Sequence, residues 1–215
     1  QYNDNVKNLL KKVFMKIVTR KNKLTKVVNP CSSVEEGEEI AKKLIEALDD
    51  FGGLGLAANQ VGIDKAVCVV RARKDEEPKV LINPRCVDVS DEKVGYIEGC
   101  LSLPGKRVHT VRNKTVKIAC DNWVNEIEFG PDSSELDADN YWKDEGLLEC
   151  VCIQHEVGHL SGELITDDHI RLKREPVKRI KYGRNEKVMV EKDGETQFIK
   201  YKKAEALLED GWEII

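Results

Sequence analysis

Residues 154 to 159 read Gln154-His155-Glu156-Val157-Gly158-His159, and no other segment narrows the fold as much. Residues four apart on an α-helix share one face about one turn apart, so a helix here lets His155 and His159 grip one metal ion. Glu156, beside the first histidine, is then aimed past the metal toward its bound water, where a carboxylate can take the proton as that water attacks. The preceding residues, Leu147 to Ile153, are largely apolar, which favours an interior helix, and interior imidazoles need partners. The pattern predicts a helix from about Glu145 to Ser161, with Leu147, Leu148, Val151 and Cys152 on its inner side and Gly162 near its end. The competing reading is a solvated helix face on which two histidines and a glutamate coincide.

A hydrolytic metal site needs a third protein ligand and an open position for water. Downstream, the sixth residue after His159 is Ile165 rather than a histidine, which leaves His169 and Glu175 as unpatterned candidates. Upstream, Glu98-Gly99-Cys100-Leu101-Ser102-Leu103-Pro104 sets a cysteine in a turn-like segment between glycine and proline. A thiolate from Cys100 with two neutral imidazoles makes a tetrahedral set suited to Zn(II) or Fe(II). A third stretch, Gly52 to Gly62, carries Gly52, Gly53, Gly55, Ala57 and Ala58 ahead of Asn59 and Gln60. It lacks the Gly-Lys-Ser or Gly-Lys-Thr ending of a phosphate loop and the strand-to-helix placing of a dinucleotide fingerprint. Its small residues admit the close approach of a backbone, and Gln60 is a candidate amide donor.

The surroundings of these segments alternate between helix and strand signals. Ser33 and Glu36 form a capping box before a helix from about Val34 to Asp50, with Ile40, Ala41, Leu44, Ile45, Ala47 and Leu48 as its buried stripe and Gly52-Gly53 at its end. Runs at Ala66 to Arg71, Lys79 to Ile82 and Lys114 to Ala119 read as strands. Gly130 to Asp144 has neither period and reads as a surface loop or insertion. The first 15 residues fit an amphipathic lead helix, residues 16–170 one catalytic domain, and 171–215 an appendage: a Lys/Arg-rich segment, a hairpin turning at Asp193-Gly194, and a short helix at Ala204 to Glu209.

Charge and cysteine content limit the partners. The 35 basic and 39 acidic residues leave a formal charge of -4, so nothing in the balance draws the chain to DNA or an anionic membrane. No stretch approaches the roughly 18 apolar residues of a spanning helix, and no secretory signal is visible, although Gln1 leaves an earlier segment open. Seven cysteines are an odd number, consistent with reduced thiols, and Cys68, Cys86, Cys120 and Cys150 read as buried small hydrophobes. These features favour the cytoplasm, with an organellar or viral origin left open.

Together, residues 53–60 (Gly-Leu-Gly-Leu-Ala-Ala-Asn-Gln), 98–102 (Glu-Gly-Cys-Leu-Ser) and 154–159 (Gln-His-Glu-x-x-His) resemble, in order and separation, the three signature motifs of the peptide deformylases. The resemblance runs from about Lys16 to Asp168. It implies an α+β fold with β-sheets surrounding a central helix that carries His-Glu-x-x-His. It also implies removal of the formyl group from the formyl-methionine of nascent polypeptides. Such enzymes commonly use Fe(II), and Zn(II), Ni(II) or Co(II) can occupy the site. Carried over, Cys100, His155 and His159 bind the metal, Glu156 moves the proton from water to the leaving amine, and Gln60 and the Leu101 N–H hold the oxyanion. Leu54, Gly55 and Gly99 would contact the peptide backbone. Leu54, Tyr96, Glu98, Leu148, Val151 and Cys152 would line the methionine pocket, and Arg107 would fix Glu98 or the substrate.

The departures are Gly158, where many members carry Asp, the 130–144 insertion, and the tail, which could touch the ribosome near its exit. A metallopeptidase using His169 or Glu175, and a catalytically silent metal-binding, ribosome-associated protein, stand as the alternatives.

Overall fold

Ser33 starts the first long helix, α1 (Val34–Phe51), its side chain accepting the Glu36 N–H at 3.2 Å. The reciprocal arm of the expected box lands one residue early. The Glu36 carboxylate takes the Ser32 N–H and hydroxyl at 2.7 and 2.6 Å rather than the Ser33 N–H. The helix ends at Gly52, whose φ of 70° needs a residue without Cβ and whose N–H returns to the Leu48 carbonyl. Ile40, Ala41, Leu44, Ala47 and Leu48 are buried, as their spacing requires.

That stripe lies on an antiparallel sheet of β1 (Gly55–Ala57), β2 (Val67–Val70) and β3 (Lys79–Ile82), in the order β1-β2-β3. Strand β2 is buried on both faces because successive side chains point to opposite sides. Val67 and Val69 join Leu44, Leu48 and Leu56 under α1, whereas Cys68 and Val70 join Leu81, Cys150 and Ile153 on the other side. The second side belongs to α2 (Glu145–Leu160), so the unbroken apolar run of β2 marks a strand between two helices.

Besides β1, four more strands ahead of α2 lie outside those expected from the sequence: β4 (Arg85–Val89), β5 (Lys93–Gly99), β6 (Arg107–Asn113) and, after the expected β7 (Val116–Ala119), β8 (Ile127–Phe129). Strands β4, β7 and β8 form one sheet in that order, and β5 pairs with β6. Every residue of the edge strand β4 is exposed. Cys86 therefore lies in solvent and is not the buried hydrophobe that the sequence suggested. Strands β5 and β6 escaped notice because glycines and charged residues interrupt their apolar alternation.

Among its described residues the 130–144 segment has a short 3-10 turn, Tyr141–Lys143, and is tied to the start of α2. Asp144 caps the helix by accepting the Leu147 N–H at 2.8 Å, and its carboxylate also takes the Asp132 and Ser133 N–H groups. Asp132 in turn accepts the Gly146 N–H and two bonds from Arg73. Arg73 also pairs with Glu149, a carboxylate buried on α2 that Lys79 neutralises from β3.

The computed structural model describes residues 15–73, 76–136, 140–172, 185–192 and 195–214, and its contacts separate two units, Gln1–Lys173 and Arg174–Ile215. The second has β9 (Lys187–Lys192) between β10 (Glu195–Lys200) and β11 (Glu213–Ile214), with α3 (Tyr201–Glu209) and a small core around Val188, Val190 and Ala204. The pairing of β9 with β10 is the hairpin read from the sequence, although its turn at 193–194 lies outside the described residues. Also outside them are residues 1–14 of the lead helix expected over 1–15, Glu175 and most of the basic segment. Among the described residues, no helix is long and apolar enough to cross a membrane. The architecture is α+β.

Candidate metal centre and active site

Cys100, the residue after β5, meets the inward face of α2. Its Sγ lies 3.2 Å from His159 Nε2, and the ligand atoms of Cys100, His155 and His159 all fall within 4.8 Å of one another. Among the described residues this is the one group of three His, Cys, Asp or Glu side chains placed to hold a metal ion. His169 stands apart, its side chain 65% exposed beside Glu163. The donor set fits a divalent cation: one soft sulfur and two imidazoles, with His155 Nδ1 held 2.7 Å from Glu98 Oε2, so that Nε2 is the nitrogen left for a metal.

Glu98 is engaged on every side. Arg112 makes a two-pronged pair with it, Nε to Oε1 at 2.7 Å and Nη2 to Oε2 at 2.9 Å, and the Thr110 hydroxyl donates to Oε1. Burial alone would raise the Glu98 pKa, but the His155 hydrogen bond and the Arg112 charge outweigh it and hold the carboxyl at about 2. Burial pulls His155 down, yet its bonds to Cys100 and Glu98 prevail and lift it to about 10. His159, with burial dominant and the His155 and Arg112 charges nearby, is pushed down to about 3.

Of the two roles the sequence offered Arg107, fixing Glu98 or the substrate, the first is taken by Arg112. The β5–β6 register sets Arg107 opposite Gly99 and Val108 opposite Glu98, so alternate residues Thr110 and Arg112 share the face of Glu98 while Arg107 points away. Arg107 is exposed at the cavity rim.

Glu156 is buried beside the cluster, and its Oε2 has no hydrogen-bond partner among the described residues. Burial pushes its carboxyl up to about 7. The first motif makes room for it: a Cβ on Gly55 would fall 2.6 Å from Glu156 Oε1. Gln60 is held at both ends of its amide, accepting the Ala57 N–H at 2.8 Å while its Nε2 reaches Ser102 Oγ at 3.3 Å and Cys100 Sγ at 3.6 Å. Asn59 donates to the His159 carbonyl, joining the first motif to the last turn of α2.

These groups face a cavity of about 640 Å³. Leu54 and Gly55 border it at the start of β1, Tyr96, Glu98 and Gly99 from β5, and Leu148, Val151 and Cys152 from α2. Gln60, Cys100, Leu101, His155 and Glu156 complete the polar end, with His159 behind them at 1% exposure. The sequence reading missed Asn59, Ser102, Thr110 and Arg112, of which the Thr-x-Arg alternation in β6 was the one local signal. At Gly158, the place where Cβ would stand lies 3.0 Å from Glu163 Oε2, so a carboxylate from beyond the helix end already occupies that neighbourhood.

A family model for polypeptide deformylase matches residues 14–175. The peptide deformylase of Borreliella burgdorferi is 41% identical over 129 residues, 60% of this chain and 70% of that protein. That of Stutzerimonas stutzeri is 35% identical over 159 residues, 73% of this chain and 87% of its own length. Among solved structures, the Thermotoga maritima peptide deformylase superposes with a TM-score of 0.58 at 27% identity, over 71% of this chain and 95% of that one. A Met-Ala-Ser-bound peptide deformylase of Acinetobacter baumannii gives 0.58 at 25% identity, over 71% and 96%. With three motifs meeting at one cavity and a family match over most of its length, this chain belongs to the polypeptide deformylases, metal-dependent hydrolases that remove N-terminal formyl groups.

Proposed function

We propose that this cavity deformylates formyl-methionyl nascent peptides, with Cys100, His155 and His159 holding the cation and Glu156 moving the proton. The observation that carries the assignment is the meeting of those three ligand atoms beside a buried carboxylate oxygen that has no hydrogen-bond partner among the described residues. The Met-Ala-Ser carried by the A. baumannii relative has the form of the product expected here.

The cation supplies Lewis acidity, polarising a carbonyl and making water acidic enough to react near neutral pH. Glu156 accepts a proton from the attacking water as its oxygen bonds to the formyl carbon. It then returns the proton to the amine as the C–N bond breaks and formate leaves. The Gln60 Nε2–H and the Leu101 N–H donate to the oxygen on which negative charge grows. The substrate lies extended along Leu54, Gly55 and Gly99, with its methionine side chain among Tyr96, Leu148, Val151 and Cys152 beside Glu98. Arg107 meets the outer peptide. We assign Fe(II) as the native cation, with Zn(II), Ni(II) and Co(II) fitting the same donors. The substrate locates the activity with translation, in the cytoplasm or an organelle, and implies transient contact with the ribosome.

The test is turnover of formyl-Met-Ala-Ser by anaerobically prepared, Fe(II)-loaded protein. Formate release that disappears in Glu156→Ala is expected; no release by the unaltered protein overturns the assignment.

A further inference from the structure

The methionine pocket has one wall that is buttressed from outside. Tyr96 on β5 lies two residues before Glu98 and on the same face, so its ring stands about 7 Å along the strand from the partner of His155. On the opposite side, Leu148, Val151 and Cys152 are fixed by their helix. Tyr96 is held by the 130–144 segment. The ring of Tyr141 meets it edge-on at 6.1 Å and 74°, and the Tyr96 hydroxyl donates to the Trp142 carbonyl at 3.4 Å. Trp142 stacks edge-on against Tyr141 at 5.6 Å, completing a three-ring group.

This group is not a free loop tip. Asp144, two residues past Trp142, caps α2 through the Leu147 N–H and also binds the Asp132 and Ser133 N–H groups. Asp132 returns to the Gly146 N–H. Tyr141 is thus joined through three residues of backbone to the first turn of the helix that carries Leu148. One short stretch ties together the two walls between which the side chain of the first substrate residue would lie.

We propose that Tyr141 is a positioning residue that sets the breadth of the side-chain pocket by holding the Tyr96 ring, and so sharpens selection of methionine over bulkier first residues. The proposal rests on the deformylase reading. Tyr141 does not border the cavity, so it acts through Tyr96. An edge-to-face aromatic contact governs about a two- to tenfold equilibrium, which bounds the effect.

The experiment compares the unaltered, metal-loaded protein with Tyr141→Ala, Tyr141→Leu and Tyr141→Phe on formyl-Met-Ala-Ser and formyl-Phe-Ala-Ser, with thermal midpoints measured alongside. Tyr141→Ala is expected to raise KM for the methionine peptide about three- to tenfold while kcat stays within about twofold, and to narrow the preference for methionine by a similar factor. Tyr141→Phe should restore both. Tyr141→Leu retains bulk, so it shows the selectivity change even if the alanine variant does not fold. An unchanged methionine preference in the leucine and alanine variants overturns the proposal, as does a fall in kcat that is the same for both peptides and follows the loss of thermal stability. If the unaltered protein releases formate from neither peptide, the deformylase reading itself falls, an outcome distinct from unchanged selectivity.

Discussion

At the scale of single residues, the proposed ligands and the proposed proton carrier separate by experiment. Cys100→Ala and His155→Ala should lose both metal and activity, whereas Glu156→Ala should keep the metal and lose turnover, as read by metal analysis beside formate release. Gln60→Ala removes one of the two proposed oxyanion donors and should lower kcat about 100-fold or more at unchanged metal content. Glu98→Ala frees the His155 ring and leaves Arg112 buried without its partner; metal affinity should drop by about 10- to 100-fold in a competition titration. Glu156 also has a stability signature. Its pKa rises from the ordinary 4.5 to about 7 in the metal-free fold, so the stability it contributes is complete below about 4.5 and lost as pH rises through about 7. Metal-free Glu156→Gln should therefore gain on the unaltered protein across that window, by on the order of 3 kcal/mol in urea unfolding. The histidines and Glu156 were legible because their spacing is local and helical. Cys100 became legible only beside the other motifs, and Arg112 not at all, because its partnership with Glu98 is set by strand register.

At the scale of elements, α2 depends on what its neighbours leave open. Gly55→Ala would drive a methyl into the Glu156 carboxylate, and its kcat should collapse while the far-UV circular dichroism remains native. Asp144→Ala removes the cap of α2 and the anchor of the 130–144 segment together, so its cost should exceed the ~1 kcal/mol of a simple cap, measured by denaturant midpoint. Helices α1 and α2 were readable in the sequence, since caps and 3.6-residue spacing are properties of the segment itself. Strands β2, β3 and β7 were readable as apolar runs. Strand β4, exposed along its length, and the charged hairpin β5–β6 carry no such mark, because backbone pairing rather than burial defines them.

At the scale of the whole molecule, the two units each carry a core of their own, and Cys100, His155, His159, Glu156 and the cavity they face belong to the first. A chain ended after residue 173 should keep its metal content and its kcat on formyl-Met-Ala-Ser within about threefold, as expected of a unit with a separate core. The order in which parts of the first unit arise has a further consequence. Cys100 and His159 are 59 positions apart, and Asn59 and His159 are 100 apart. An unfolded chain offers an ion only the neighbouring histidine pair, while the sulfur waits on closure of a long loop. Capture of the cation is thus expected to be a late event in maturation, delayed until the last turn of α2 has been synthesised and docked, and a chain that has mispaired its strands gains no grip on the ion.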